Sequence, residues 1–426
     1  MLELGCGRGD LLAALKPSVG VGVDFSSAMI EAASKRHPEL KLVLADAHEF
    51  WTREKFDYVI LSDLVNDLWD VQRVLDAVAS ACAPATRIII NTYSRLWELP
   101  LAAAQHLGLA SPSLGENWLT REDLANLLYL AGFDMIRVWQ DILFPVRMPL
   151  VDSLCNKYLV RISPFRHAAL TNFIVARPAP RASGASPQPS VSVIVPARNE
   201  AGNIENILRR VPEMGSGTEI VFVEGHSRDD TYATIERGIA KHPDRRCKLL
   251  RQTGKGKGDA VRLGFAEATG DVLMILDADL TVAPEDLPRF YRALESGAGE
   301  FINGARLVYP MEAQAMRFLN LLGNKFFSWA FSWLLGQPIK DTLCGTKVLS
   351  REHYRLIAEN RLYFGDFDPF GDFDLIFGAA RLNLKLVDIP IRYGERTYGE
   401  TNIRRWSHGW LLLRMVLFAS RRIKFL

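Results

Sequence analysis

The sequence predicts an α/β protein of two domains, and three observations carry that prediction. Apolar strand-like runs alternate with helix-like runs, first over the N-terminal part of the chain and again from about residue 191. Each series opens with a buried strand that runs into a ligand-type turn. Between them lies "ARPAPRASGASPQPS" (Ala176 to Ser190), rich in Pro, Ala and Ser and without a periodic apolar face, which reads as a semi-extended linker. The expected organisation is a first domain over 1–177, a linker over 178–190 and a second domain over 191–426, both with mostly parallel sheets.

The first element is the opening "MLELGCGRGD". Leu2 and Leu4 mark the tail of a buried strand, and Gly5, Gly7 and Gly9 form the turn after it. Such turns let backbone approach a ligand and aim helix N-terminal amides at it. The dinucleotide pattern G-x-G-x-x-G fails here, because Asp10 stands at the third glycine. The next strand, "VGVGVD", closes on Asp24, where an acid can accept hydrogen bonds from a ribose diol. "LKLVLAD" closes on Asp46 at the same edge. "FDYVILSD" and "TRIIINTY" continue the sheet, with helix-like "EAASKRHPEL" and "DVQRVLDAVASAC" between.

Bulk properties set limits. The chain has 426 residues, 48% hydrophobic and 23% charged, an ordinary globular balance with ample core material. A formal net charge of +2 gives no whole-chain attraction to nucleic acid. Five scattered cysteines without a C-x-x-C pair argue against a disulfide framework or structural zinc, and for a reducing cytosol. No signal peptide is visible, and no stretch reaches the ~20 apolar residues that span a bilayer.

With these residues in view, the first half resembles the class I S-adenosylmethionine-dependent methyltransferases over about 1–177, which implies a Rossmann-like sheet and S-adenosylmethionine as cofactor. The resemblance places Glu3, Gly5, Gly7 and Gly9 around the methionine part of the cofactor, Asp24 on the ribose and Asp46 near the adenine. Asn66 and Asp67 fall where such enzymes face the methyl acceptor; a helix N-cap is the alternative. No acceptor signature is present. The family usually has helices before this strand, so the open reading frame is expected to extend upstream.

The second half begins with "VSVIVPARNEAGNI", a buried strand ending in Pro196, then Asn199 and Glu200 ahead of a helix. "EIVFVEGHSRDDT" ends its strand on Glu224. "GKGKGDAVRLGFAEATGDVLMILDADL" carries Lys255 and Lys257 in a glycine loop suited to an anion, then a strand into Asp277-Ala278-Asp279. Two carboxylates at alternate positions can share a hard cation, Mg²⁺ or Mn²⁺, with a diphosphate.

Together these motifs resemble the family 2 glycosyltransferases of the GT-A type over about 190–426, and among them the polyprenyl-phosphate sugar transferases. The resemblance implies that Pro196, Asn199, Glu200, Glu224 and Lys257 hold a nucleoside-diphosphate sugar. It implies that Asp277 and Asp279 hold the metal and diphosphate, and that Arg306 and Arg396 face the phosphates of donor and acceptor. "DTLCGTKVLSREHY", with Lys347, resembles the acceptor-side segment. Gly225 stands where many relatives have a second acid, and Asn402 where many have a lysine. "FGDFDPFGDFD" holds a near-repeat whose first copy has no counterpart. A polyprenyl phosphate oxygen is already anionic and needs little base help; a sugar hydroxyl acceptor would need a base, and Asp372 or Asp374 is the candidate.

"FLNLLGNKFFSWAFSWLLG" and "WSHGWLLLRMVLFASRRIKFL" combine Trp, Phe and Leu with basic flanks, the composition of helices lying in a bilayer surface. A core helix pair or a homodimer interface is the alternative. The expectation is a bifunctional enzyme, peripheral on the cytoplasmic face of the membrane, that glycosylates a polyprenyl phosphate and transfers methyl groups. The competing expectation is a soluble transferase acting on a sugar hydroxyl, with a non-catalytic N-terminal module.

Overall fold

Short apolar runs, several of them buried along their whole length, give strands wherever the sequence expects them. The computed structural model describes the chain apart from residues 110–116, 181–187, 307, 309–317, 362–372, 395–397, 399–404 and 426, and apart from the side chains of 318–322, 405–409 and 411. Contacts cluster into two compact units, Met1–Pro180 with Phe425–Leu426, and Arg181–Lys424.

The first unit holds β1 (Leu2–Leu4), β2 (Val21–Asp24), β3 (Lys41–Leu44), β4 (Phe56–Leu61), β5 (Cys82–Tyr93), β6 (Phe133–Asp141) and β7 (Thr171–Pro178), in the order β3-β2-β1-β4-β5-β7-β6. The pairings from β3 to β5 are parallel, as expected. β7 is inserted antiparallel between β5 and β6, which strand patterning alone did not anticipate. Leu2 and Leu4 point into a core shared with helices Val71–Val78 and Arg121–Leu130, whose Val74, Leu75, Leu124 and Leu128 supply the apolar stripe. The second helix opens with a capping box, Thr120 and Asp123 satisfying one another's backbone N–H groups.

The second unit holds β8 (Val191–Ala197), β9 (Thr218–Glu224), β10 (Arg246–Arg251), β11 (Val272–Ile275), β12 (Phe301–Ala305), β13 (Lys347–Ser350) and β14 (Leu386–Pro390), ordered β10-β9-β8-β11-β13-β12-β14. β13 runs antiparallel to both neighbours, and the other pairings are parallel. Both faces are covered. Val193 and Val195 enter one core and Ile194 the other, the two-residue period of a strand buried on both sides. In both units the polar turns singled out by the sequence follow the C-terminal ends of parallel strands, where ligands bind in open α/β sheets.

Helices Phe318–Leu335 and Arg405–Ile423 pack against each other. Phe327, Phe331 and Leu334 of the first, with Leu412, Met415 and Ala419 of the second, are buried in the core. Phe326 and Trp329 are exposed, as are Trp410, Arg414, Leu417 and Arg421 at helical spacing. Trp333 packs against the core, with the Lys424 ammonium 5.7 Å from its ring centroid. Among the described residues no helix is long and apolar enough to cross a membrane.

Candidate functional sites

The glycine turn of the first unit is held by a carboxylate. Gly5, Gly7 and Gly9 all have positive φ, at 72°, 52° and 74°, a conformation other residues adopt only with strain. A Cβ at Gly7 would meet open space, so its requirement is conformational alone. Asp24 accepts from the Gly7 N–H through Oδ2 and from the Ser26 N–H through Oδ1, both at 2.9 Å. It therefore fixes the turn whatever else it binds. Glu3 is 2% exposed, and its Oε2 has no partner. Burial pushes this carboxyl up to about 7.

Asp46 has a partner the sequence reading missed. Its Oδ1 accepts from the His48 N–H at 2.9 Å and meets His48 Nδ1 at 2.6 Å. The His48 Nε2 lies 3.3 Å from the Asp70 N–H, which can only donate, so Nε2 accepts and Nδ1 carries the proton. The buried ring stacks on exposed Trp69 with centroids 4.6 Å apart. The two His48 hydrogen bonds hold Asp46 below the usual carboxylate range.

Asn66 is neither an N-cap nor open to an acceptor. It is buried, its Oδ1 accepts from Tyr93 N–H at 2.9 Å, and its Nδ2 donates to the Asn117 carbonyl at 2.9 Å. Asp67 is exposed. The exposed carboxylate directly beyond β4 is Asp63, at a positive φ of 50° and bonded to Asn91 at 2.6 Å.

In the second unit the turns after β8 and β9 are knitted together. Asn199, at φ 57°, donates its N–H to Ser227 Oγ (3.0 Å) and accepts from Arg228 N–H (2.8 Å). The Glu200 N–H donates to Thr231 Oγ1, and Glu200 Oε2 accepts from Asn203. Glu224 accepts from the Ser227 N–H. Pro196 is half-buried at the end of β8. A Cβ at Gly202 would overlap the ring of Tyr398, so this turn is pressed against that ring as bare backbone. Gly225 also has a physical reason: a Cβ there would lie 2.9 Å from Gln252 Oε1, whose amide donates to Gly256 O and Asp259 Oδ2 to brace the glycine–lysine loop.

Asp277 and Asp279 follow β11. Lys257, at the first turn of helix Lys257–Glu267, lies 2.6 Å from Asp277 Oδ1. Burial would raise the Asp277 carboxyl, but Lys257, with Lys347 and Arg306 farther off, outweighs this and holds it low. A Cβ at Gly345 would overlap both the Asp277 carboxylate and the Lys257 ammonium. The acceptor-side segment is thus pressed onto the aspartate turn as bare backbone. Asp279 Oδ1 accepts from the Thr281 N–H and Oγ, and Gly394 N–H donates to Thr281 O at 3.0 Å.

Two expectations meet a different geometry. Arg306 is buried in a bidentate pair with Asp341, Nε to Oδ2 at 2.6 Å and Nη2 to Oδ1 at 2.9 Å, with Tyr393 5.0 Å from its guanidinium. Its principal counter-ion is therefore protein, because a cation in this interior needs one. Asp341 also accepts from the Leu343 and Cys344 N–H groups. Asp374 is not a surface helix acid. It is 8% exposed, 3.2 Å from Arg361 Nε and 3.9 Å from Arg262. Lys347 is fully buried and donates to the Cys344 carbonyl. Asp372, Arg396 and Asn402 lie outside the described residues, as does most of the near-repeat.

Among the described residues no three His, Cys, Asp or Glu side chains cluster as metal ligands. Asp277 and Asp279 offer two hard carboxylates, a set that fits a divalent cation drawing its other oxygens from water and a diphosphate. The glycine turn with a buried Glu3, whose Oε2 is unpaired, fits a ligand that brings a cationic donor.

Residues 1–138 match the family model "Methyltransferase domain", and residues 192–353 match "Glycosyl transferase family 2". A dolichol-phosphate mannosyltransferase of Pyrococcus furiosus is 32% identical over 219 residues, half of this chain and 59% of the relative. A dolichyl-phosphate beta-glucosyltransferase of Drosophila melanogaster is 29% identical over 253 residues, 55% of this chain and 74% of the relative. The chain thus spans about three fifths of the first of these. A solved structure of an S-adenosylmethionine-dependent methyltransferase from Thermotoga maritima, described as a possible histamine N-methyltransferase, aligns with TM-score 0.32 and 18% identity. It covers 41% of this chain and 80% of that one.

Proposed function

From a chain that joins a methyltransferase domain to a family 2 glycosyltransferase region, we infer a bifunctional transferase. Its second unit moves a sugar from a nucleoside diphosphate to a polyprenyl phosphate, and its first unit moves a methyl group from S-adenosylmethionine. The observation that carries the sugar-transfer reading is the meeting of Asp277, Lys257 and Gly345, where donor turn, cationic loop and acceptor-side segment converge.

The acceptor phosphate oxygen attacks the sugar C1 and the nucleoside diphosphate leaves with the bonding pair. Since the nucleophile is already an anion, the protein's task is alignment and charge neutralisation. The turns after β8 and β9, with Asn199, Glu200 and Glu224, hold the nucleoside. Asp277 and Asp279 would hold Mg²⁺ or Mn²⁺, which supplies positive charge to the diphosphate. Lys257 keeps Asp277 ionised and is placed to follow the developing charge. Asp374 is buried between the Arg361 and Arg262 guanidiniums, where it serves as their counter-ion, and this favours the phosphate acceptor over a hydroxyl. Arg306 acts through Asp341, which shapes the turn containing Gly345. Arg396 remains assigned to the phosphates by resemblance alone.

In the first unit, Glu3 and the backbone of Gly5, Gly7 and Gly9 would hold the methionine part of the cofactor, with Asp24 at the ribose and Asp46 at the adenine. S-adenosylmethionine supplies an electrophilic methyl group when bound. The exposed faces of the two long helices, with Trp329, Trp410, Arg414 and Arg421, would rest on the cytoplasmic membrane surface.

The test is a panel of nucleoside-diphosphate sugars with a short polyprenyl phosphate, with and without Mg²⁺, on the parent chain and Asp279→Asn. Metal-dependent transfer that the variant loses while keeping its unfolding temperature is the expected result. Normal turnover by Asp279→Asn would remove the metal assignment, and transfer only to sugar hydroxyls would remove the acceptor.

A further inference from the structure

We propose that residues 142–170, the excursion between β6 and β7, form a docking surface for an anionic lipid bilayer. β6 and β7 pair antiparallel up to Asp141 and Thr171. Such neighbours usually need only ~2–5 connecting residues, so the excursion is far longer than the sheet requires.

It is built rather than slack. Asn156 Oδ1 accepts from the Phe144 N–H and Asn156 Nδ2 donates to the Phe144 carbonyl, both at 2.8 Å. Arg161 pairs with Asp141 at 3.1 Å, and Trp97 Nε1 donates to the Ala168 carbonyl at 2.9 Å. Yet this fixed structure turns its apolar side chains outward. Val146, Leu150, Leu154, Tyr158, Ile162 and Phe165 are each between 46% and 85% exposed. Helix Glu98–His106, which follows Trp97 directly, buries none of its residues. Side chains of this kind are ordinary when scattered singly over a protein, whereas several on one built segment mark a surface with a partner.

Charge identifies the partner. The excursion carries Arg147, Lys157, Arg161 and Arg166 against a single acid, Asp152, and Arg147 and Lys157 are exposed. Apolar and aromatic side chains interleaved with basic ones match a bilayer interface with anionic headgroups. On the methyl-transfer reading, the methyl acceptor would be met at the bilayer; the docking itself does not depend on that reading.

The test uses the full chain with phosphatidylcholine vesicles, with and without phosphatidylglycerol. Leu150→Ser, Tyr158→Ser and Phe165→Ser are combined in the parent and in a Trp329→Ser, Trp410→Ser background. The triple change should weaken binding to anionic vesicles at least tenfold in both backgrounds. Arg147→Gln and Lys157→Gln should each weaken it about fivefold at low salt and less at high salt, and they carry the test should the triple variant unfold. Unchanged affinity in these variants would overturn the proposal. So would a change in self-association, which would assign the surface to a second copy of the chain. Absence of sugar transfer alongside the vesicle effect would sink the enzymatic reading and leave this one standing.

Discussion

Asp341 shows what a single residue contributes that its neighbours in sequence do not reveal. It lies 35 positions from Arg306, and only the fold brings the two together. The motif marked Arg306 as a cation near phosphates; Asp341 opens the acceptor-side segment, but nothing in the sequence marked it as the acid that binds Arg306. His48 beneath Asp46, Gln252 beside Gly225 and Asn91 beside Asp63 escaped notice for the same reason. The glycine turn and the Asp277–Asp279 pair were legible because their chemistry is local. Asp341→Asn would leave a buried guanidinium short of its charge partner and should destabilise the second unit by about 3–5 kcal/mol, read by denaturant unfolding. Glu3 makes a second residue-scale prediction. Its pKa rises from 4.5 to about 7 on folding, so the folded state binds the extra proton between those values. Stability from this group is full below pH 4.5 and is lost as pH rises to about 7, on the order of 3 kcal/mol. Glu3→Gln, which cannot ionise, should unfold at a temperature close to the parent's at pH 5 and higher at pH 8. No gain at pH 8 would mean that Glu3 ionises freely where it stands.

At the scale of an element, the two long helices set the limit of sequence reading. Their apolar character was plain, but both helices carry large apolar residues nearly all round, so no stripe told the core face from the outer one. Each helix has a buried side and an exposed one: Phe331 and Met415 are buried while Trp329 and Trp410 are not. Trp329 and Trp333, which look equivalent in sequence, should therefore behave differently. Trp329→Ser should lower co-sedimentation with anionic vesicles and leave the unfolding temperature unchanged. Trp333→Ser, which removes a ring packed on the core, should lower the unfolding temperature by several degrees. The inserted β7 is a similar case. Its residues read as a strand, but its antiparallel place between β5 and β6 depends on pairing across the sheet, which periodicity does not encode.

For the whole molecule, the alternation of strands and helices in two series was enough to predict two α/β units, because each βαβ repeat is a local pattern. Each unit has its own seven-stranded sheet, and the core clusters divide between the units without sharing a residue. Units with separate cores should unfold as two cooperative steps, and a ligand should stabilise only the unit that holds it. S-adenosylmethionine at about 100 times its Kd would add about 2.7 kcal/mol to the first unit, and a nucleoside diphosphate with Mg²⁺ would do the same for the second. Calorimetry on the full chain should then show two transitions that the two ligands move separately. Gly7→Val, which forces a β-branched residue to a φ of 52°, should abolish the first shift and leave the second intact. Asp279→Asn should do the reverse. A single transition moved by either ligand would show that the units fold as one cooperative body, and the two activities would then have to be treated as coupled.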